Sequence, residues 1–239
     1  MNKPMFDFSE SFQFNKKQSN AWYRAAANTL YIVILLLMLS YIVFAVVFFD
    51  AEVDGTSMQP TLNAKGGNKS DVVYVNRFAG IKKGDIVVFK VNGRGLIKRV
   101  IAVGGDRIRY EYNDETGVCE LFINGELQQE NYIKEELKRH DELTRTGNEL
   151  EKIMLGGENY IEGTVVKNDN GTPDESDDFY EYVVPKNAYF CMGDNRLVSE
   201  DCRRFGAVDK SAIQGKVQMV VPYGTSKFSF WLNKLFGIR

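Results

Sequence analysis

Residues 54–62 read Asp-Gly-Thr-Ser-Met-Gln-Pro-Thr-Leu, and this stretch begins a few residues beyond the only long apolar run of the chain. Ser57 follows a glycine and a threonine, and Pro60 restricts the backbone just after it. The serine therefore lies where the polypeptide would emerge from a membrane. We take Ser57 as a candidate nucleophile and ask whether the rest of the chain is consistent with that role.

Length and charge limit the class of protein. The chain has 239 residues, which leaves enough for one core with an insertion after an N-terminal membrane segment is subtracted. The formal net charge is −2, so no general attraction to nucleic acid is expected. Composition therefore favours a globular domain joined to a membrane segment, with no nucleic-acid partner.

The single histidine of the chain, His140, limits how Ser57 is activated. His140 lies in the charged run 134–142, which is typical of a solvated surface. A Ser-His-Asp triad is therefore not expected. Because a serine hydroxyl needs a nearby base, the remaining candidates are a lysine amine with a lowered pKa and a carboxylate.

The cysteines and acidic residues form no recognisable metal motif. Cys119, Cys191 and Cys202 have no C-x-x-C spacing, so a structural zinc site is not expected. Their odd number leaves at least one thiol unpaired within the chain, and a bond between Cys191 and Cys202 is left open. The acidic loop 167–178 does not fit the glycine position and final glutamate of an EF-hand. We predict neither a metal nor a cofactor.

Residues 25–49 contain no charged side chain and predict a transmembrane helix. At 1.5 Å per residue this helix is roughly 35 Å long, which is enough to span the hydrocarbon of a bilayer. No small-x-small site follows it, so we expect an uncleaved anchor. Lysines and an arginine lie in the polar tail 1–24, and acidic residues follow the helix. The positive-inside rule then places the N-terminus in the cytoplasm and the chain from Asp50 onward outside, with a single pass through the phospholipid bilayer of the plasma membrane.

The strand predicted at 95–106 carries two adjacent basic residues, Lys98 and Arg99. Lys98 interrupts an apolar run, and alternation places it on the opposite face from Arg99, so one of the two shares a face with apolar neighbours. A lysine held there loses hydration, which lowers its pKa toward neutrality. A neutral Lys98 amine is able to take the Ser57 proton and later deliver one to the leaving amine, which is the Ser-Lys variant of the triad.

Residues 107–181 are polar and irregular, and we predict an inserted β-rich subdomain there. A hairpin is predicted at 119–127, because Asn124-Gly125 suits a type I′ turn. Partial helix is predicted within 127–151.

The remaining segments predict a core and a C-terminal tail. The tail, residues 223–239, is basic and rich in aromatic and aliphatic side chains. It suits either the membrane interface or a docked position on the core, and the sequence leaves both open. The predicted catalytic core consists of residues 50–106 and 182–222, with strands at 71–76, 85–90, 95–106, 183–192 and 213–222.

Three motifs resemble those of bacterial type I signal peptidases, the peptidase S26 family. Residues 57–62, Ser-Met-Gln-Pro-Thr-Leu, resemble the family's nucleophile box S-M-x-P-T-L, and residues 84–89 match its G-D-I/V-V-V-F box. Residues 193–206 resemble G-D-N-R-x-x-S-x-D-S-R-x-x-G along their whole length, with Cys202 in place of one serine. The resemblance covers the anchor and both halves of the predicted core.

This resemblance implies the roles of the site residues. Ser57 is the expected nucleophile and Lys98 the expected general base. In the family the serine that matches Ser199 hydrogen-bonds the lysine, and the pair that matches Asp201 and Arg203 braces the loop.

The resemblance also implies the substrate. The family cleaves after small-x-small sequences, typically Ala-x-Ala, by adding the extended peptide to a strand edge. Met58, Leu96 and Ile97 match positions that line its shallow pockets. The Ser57 backbone N–H is the natural oxyanion donor. Some members add a hydroxyl two residues earlier, but this position is Gly55, as is common in the Gram-positive pattern, so the second donor is unassigned.

The expected fold is mainly β, a signal-peptidase-like fold of antiparallel sheets with an inserted β-rich subdomain, preceded by one N-terminal transmembrane α-helix. Self-cleaving SOS repressors share the Ser-Lys fold but carry a DNA-binding N-terminus, where this chain has a membrane helix. The alternative is a non-catalytic, membrane-anchored assembly or folding factor on the same fold, which would be expected to lose Ser57 or Lys98. We predict a monomeric, membrane-anchored serine endopeptidase that removes signal peptides from exported preproteins.

Overall fold

Helix α1 spans Phe8–Val47 and contains the apolar run. Its segment Ala21–Val47 has 27 residues and no side chain buried within the structure. At 1.5 Å per residue this segment is about 40 Å long, enough to cross a bilayer. The helix ends two residues before the predicted end of the anchor, because Phe48 and Phe49 belong to the first strand.

The computed structural model describes residues 8–65, 69–113, 115–138, 165–168 and 179–236. The chain divides into two compact units, Met1–Val47 and Phe48–Arg239. His140 and most of the loop 167–178 lie outside the described residues. The segment 127–151, for which partial helix was predicted, is described only as far as residue 138. Within that part, Glu135–Leu137 forms one turn of 3₁₀ helix.

The second unit is built from two antiparallel sheets, which confirms the predicted mainly β class. The first sheet has seven strands in the order β1-β2-β12-β3-β4-β10-β11, and the second has five in the order β7-β6-β5-β9-β8. Two short helices, α2 (Cys202–Phe205) and α3 (Lys227–Phe236), lie near the end of the chain. The strands are β1 (Phe48–Glu52), β2 (Val72–Asn76), β3 (Ile86–Val91), β4 (Arg94–Val103), β5 (Arg107–Asn113), β6 (Val118–Ile123), β7 (Glu126–Leu127), β8 (Val165–Asn168), β9 (Phe179–Val183), β10 (Ala188–Met192), β11 (Val208–Asp209) and β12 (Ile213–Val221).

Strand β4 is the longest strand of the described residues, and it has different neighbours along its length. It pairs with β3 from Arg94 to Arg99, and with β10 only from Arg99 to Val103. In the part of the chain that the structure describes, no strand pairs with residues 94–98 on the side toward β10. The backbone of β4 around Lys98 is therefore an open edge.

The second sheet uses only strands between residues 107 and 183. The predicted hairpin is present as β6 and β7, and Asn124 and Gly125 both have positive φ, 54° and 81°, as a type I′ turn requires. Strand β5 was not predicted. The division into a core and an inserted subdomain with boundaries at 107 and 181 stays a prediction.

Two apolar clusters hold the second unit together. The larger one joins both sheets, because Val87, Val100 and Phe190 of the first sheet share a core with Ile108 and Leu121 of the second. The smaller cluster fixes the turn that follows β1 onto the first sheet. It contains Val53, Met58, Leu62, Val73, Val75 and Val88.

The C-terminal helix α3 contacts the first sheet. Trp231 packs edge-on against Tyr74 with ring centroids 5.3 Å apart, and Lys227 forms an ion pair with Asp50 at 2.7 Å. Phe228 remains 76% exposed. Of the two positions left open for the tail, the structure thus shows docking on the core for these residues.

Candidate active site

Ser57 lies in a tight turn held from below by the smaller cluster. Met58, its neighbour, is 2% exposed, and the Leu62 N–H donates to the Met58 carbonyl at 2.9 Å. Gly55 has a φ of 82°, a conformation that glycine adopts without strain. Because the adjacent apolar side chain is buried, the turn is fixed while Ser57 itself stays partly accessible.

Lys98 is brought directly to Ser57, as the sequence predicted. Its amine Nζ lies 2.7 Å from Ser57 Oγ and donates to the Ile97 carbonyl at 3.2 Å. Lys98 is 3% exposed, and no carboxylate of the described residues lies within ion-pair distance of it. Burial lowers the pKa of Lys98, and the charge of Asp201 offsets part of this effect. The site therefore combines a hydroxyl with an amine that loses its proton more readily than an ordinary lysine.

Asp201 and Arg203 form the buried ion pair that was predicted to brace the loop. Arg203 Nε donates to Asp201 Oδ1 at 3.0 Å, and the Gly193 N–H donates to Asp201 Oδ2 at 2.9 Å. Burial raises the pKa of Asp201, but the charge of Arg203 together with the hydrogen bonds to this carboxylate brings it below its usual value, so Asp201 stays ionised. We call residues 193–203, which this pair closes, the bracing loop.

The bracing loop lies against the serine turn. The Asn195 N–H donates to the Ser57 carbonyl at 3.0 Å. A Cβ on Gly193 would come within 2.4 Å of the same carbonyl oxygen and 2.2 Å of Ser199 Oγ. Only glycine fits at position 193, because any side chain would push the loop away from the nucleophile.

Ser199 is 3% exposed in the bracing loop, but it does not make the predicted bond to the lysine. Its hydroxyl meets no described partner with full hydrogen-bond geometry, but it lies close enough to Asp201 to lower the pKa of that carboxyl. The supporting role of Ser199 toward Lys98 stays a prediction.

The three predicted pocket residues face different surroundings. Met58 lies within the smaller cluster, Ile97 packs against that cluster, and Leu96 packs against the larger one. Both residues of β4 are half-buried. The structure therefore places Leu96 and Ile97 along the open edge of β4, with Met58 beneath the serine turn.

The cysteines are free thiols. The bond left open between Cys191 and Cys202 is not formed, although the Cys191 N–H donates to Cys202 Sγ at 3.1 Å. Cys202 is fully buried at the start of α2. A cysteine at this position fills the core beneath the loop.

Sequence analysis missed several buried charges around the site. Arg99 pairs with Asp194 through two hydrogen bonds of 2.8 and 2.6 Å, and Arg196 pairs with Glu130. Asp194 and Arg196 lie inside the recognised motif, which could have pointed to them. Nothing in the sequence indicated Glu130.

Comparison with known proteins places the chain in a family. A family model described as "Signal peptidase, peptidase S26" matches residues 26–222. The chain belongs to this family. Signal peptidase IB of Staphylococcus aureus is 35% identical over 183 residues, covering 74% of this chain and 80% of the relative. Signal peptidase I of Streptococcus pneumoniae is 31% identical over 204 residues, covering 83% and 90%.

One solved relative is a signal peptidase I from Enterococcus faecalis. It is 27% identical, and the match covers 59% of this chain and 98% of that one, with a TM-score of 0.34. Family membership confirms the resemblance seen in the motifs and makes the chain a membrane-anchored signal peptidase, with α1 as its apolar anchor helix.

Proposed function

We propose that the chain cleaves peptide bonds with Ser57 as nucleophile and Lys98 as general base. The observation that carries this proposal is the 2.7 Å separation of Lys98 Nζ and Ser57 Oγ around a buried amine. The neutral amine takes the hydroxyl proton as Oγ attacks the substrate carbonyl, and it then protonates the leaving amine. In the second half the same amine takes a proton from a water that attacks the ester carbonyl, and it returns that proton to Ser57 Oγ as the bond between Oγ and the acyl carbon breaks.

The oxyanion of the tetrahedral intermediate is stabilised by the backbone N–H of Ser57. The turn requires glycine at position 55, with φ of 82°. A side chain with a hydroxyl would be strained at position 55, so this chain has no side-chain oxyanion donor there. The second donor to the oxyanion is left unassigned.

Supporting roles fall to three residues of the bracing loop. Asp201 and Arg203 hold the loop closed, which keeps Gly193 and the residues beside it against the Ser57 carbonyl. Ser199, whose buried hydroxyl lies in the bracing loop beside Asp201, is the group proposed to bond the Lys98 amine during the reaction.

The proposed substrate is the signal peptide of an exported preprotein, cut after Ala-x-Ala. An extended peptide is able to pair with the open edge of β4 at residues 94–98, where backbone groups lack a strand partner in the described structure. Leu96 and Ile97 would line the shallow pockets, with Met58 as an apolar floor under the serine turn. Shallow apolar pockets admit alanine and exclude bulk.

The proposed orientation puts the N-terminal tail in the cytoplasm and residues from Asp50 onward outside the cell, since the tail carries the basic residues. We further propose that the enzyme acts as a monomer, with core segments 50–106 and 182–222 around the subdomain 107–181.

Cleavage of an Ala-x-Ala preprotein by the full chain in detergent or lipid tests this proposal. Wild type should cut after the second alanine, while folded Ser57→Ala and Lys98→Ala variants should be inactive. Full activity of Lys98→Ala would show that the base is a different group. An inert wild type on several preproteins would favour the non-catalytic assembly or folding factor.

A further inference from the structure

A short segment that follows β7 of the second sheet contacts the bracing loop. Residues 128–133, which follow β7, are held in place by the Gln128 N–H, which donates to the Leu121 carbonyl at 2.8 Å, and by the Ile133 N–H, which donates to the Glu130 carbonyl at 3.1 Å. We call them the 128–133 segment. It carries the only carboxylate that contacts Arg196 among the described residues, Glu130.

Glu130 and Arg196 form a two-pronged ion pair that is sealed from solvent. Arg196 Nη1 donates to Glu130 Oε2 at 2.9 Å, and Nη2 donates to Oε1. The two residues are 4% and 1% exposed. Burial raises the pKa of Glu130, but the charge of Arg196 together with the hydrogen bonds from Arg196 and Tyr132 brings it below its usual value, so both groups stay ionised. A fork of this kind fixes the direction of the arginine as well as its charge.

The oriented Arg196 side chain in turn holds the backbone of the bracing loop. Its Nε donates to the Gly193 carbonyl at 3.1 Å, and its own carbonyl accepts from Arg203 Nη2 at 2.8 Å. Gly193 lies against the Ser57 carbonyl. The path from Glu130 to the nucleophile therefore passes through three consecutive close contacts.

The same segment also contacts the strand that carries the base. Tyr132 donates its hydroxyl to Glu130 Oε1 at 2.6 Å, and the Arg99 guanidinium lies over its ring, 4.1 Å from the centroid. Arg99 follows Lys98 on β4. One short segment thus contacts both parts of the site, the loop behind Ser57 and the strand beside it.

We propose that Glu130 is a positioning residue of the peptidase: through Arg196 and Tyr132 it sets the alignment of Ser57 with Lys98. This inference rests on the proposed Ser-Lys mechanism and gives the inserted region a catalytic task. A buried ion pair contributes little net stability compared with apolar residues of the same volume. Its value here lies in the fixed geometry that it imposes on the bracing loop.

The test compares Glu130→Gln with Glu181→Gln in the full chain, assayed on an Ala-x-Ala preprotein. Glu181 is a suitable control because it is also buried and pairs with an arginine, Arg107, in the second sheet. We expect kcat of Glu130→Gln to fall about 100-fold with KM unchanged, the effect of a misaligned reacting pair. The control should keep wild-type kcat and KM.

A second variant separates positioning from folding. Glu130→Leu combined with Arg196→Met replaces the pair by apolar side chains, which commonly preserves stability. If this double variant unfolds at the wild-type temperature but has a kcat as low as that of Glu130→Gln, the pair acts by positioning. A return to wild-type kcat would overturn the inference, because the pair would then serve folding alone.

Lys98→Ala, measured in parallel, distinguishes the two proposals. Full activity of Lys98→Ala would overturn the proposed mechanism together with this inference. Wild-type kcat in Glu130→Gln beside an inactive Lys98→Ala would overturn this inference alone.

Discussion

Two adjacent basic residues on opposite faces of β4, Lys98 and Arg99, have pKa values shifted in opposite directions. Lys98 is buried beside a hydroxyl, with no carboxylate of the described residues at ion-pair distance, and burial lowers its pKa. Arg99 is also largely buried, and burial acts on its pKa in the same direction, but the hydrogen bonds to Asp194 and the charge of Asp194 together raise it above its ordinary value. The comparison shows that burial lowers the pKa of both basic side chains. Nearby carboxylates offset this effect fully at Arg99 but only in part at Lys98.

This difference separates two uses of a buried cation. At Arg99 the charge is kept, and it ties β4 to the bracing loop through Asp194. At Lys98 the charge is made easy to lose, which is what a general base requires. Four experiments test the contrast.

The largest expected effect is a loss of activity when Lys98 is replaced by a side chain that is permanently charged. Lys98→Arg places a guanidinium, which does not deprotonate in proteins, beside Ser57. We expect kcat to fall by about 1,000-fold, within the range typical of a lost general base. Lys90→Arg, an exposed change on β3, is the matched control and should keep wild-type activity. More than a tenth of the wild-type kcat in Lys98→Arg would contradict the role of a neutral amine.

The next effect comes from removing the carboxylate on the Arg99 face. Asp194→Asn leaves a buried arginine without its counter-charge, and we expect the free energy of unfolding to fall by about 3–5 kcal/mol. Urea unfolding of the full chain in detergent measures this. Asp50→Asn, which breaks the exposed pair with Lys227, should change stability little. Equal losses in the two variants would mean that burial of the Arg99 pair has no energetic consequence.

A smaller effect is expected when the lysine is replaced by an apolar side chain. The folded-state pKa of Lys98 lies below its ordinary value of 10.5, so protonating it favours the unfolded chain. The resulting loss in the free energy of unfolding is largest at pH values below the folded-state pKa. It shrinks as the pH rises from that pKa to 10.5, and it is absent above pH 10.5. Lys98→Met should therefore be at least as stable as wild type at pH 7, with the advantage lost by pH 10.5. An advantage that grows with pH would reverse the assigned sign.

The smallest effect tests the charges near the base. Glu200 is exposed, and its charge raises the pKa of Lys98. Glu200→Gln should shift the ascending limb of the kcat–pH profile to lower pH, and added salt should weaken the difference. Glu126→Gln, an exposed change on β7, serves as the control. A shift to higher pH would contradict the assigned electrostatics.

Much of the fold could be predicted because local signals agreed with the final structure. The Asn124-Gly125 turn, the apolar runs of β2, β3 and β12, and the apolar helix all carry patterns that need no partner to be recognised. Strand β5 was missed because its charged residues alternate with aliphatic and aromatic ones. Ile108 is 1% exposed between two arginines, and this alternation was taken for an irregular polar stretch.

The site could be predicted only in part, for a related reason. Ser57 and Lys98 are far apart in sequence, but Ser57 lies in a motif, and alternation along β4 indicated a lysine that shares a face with apolar residues. Glu130 carries no such signal, since its partner Arg196 is 66 positions away. The bond expected between Ser199 and Lys98 depends on side-chain directions that no spacing determines.

The most direct test of the central claim is the titration of Lys98 itself. The full chain is labelled with ¹³C at the lysine side chains, and the Lys98 signal is assigned by its loss in Lys98→Arg. We predict that the amine of Lys98 titrates below 10.5, while that of Lys227, paired with Asp50, titrates above it. A Lys98 amine that titrates at or above 10.5 would contradict the account, because the base would then carry a proton at the moment when it has to accept one.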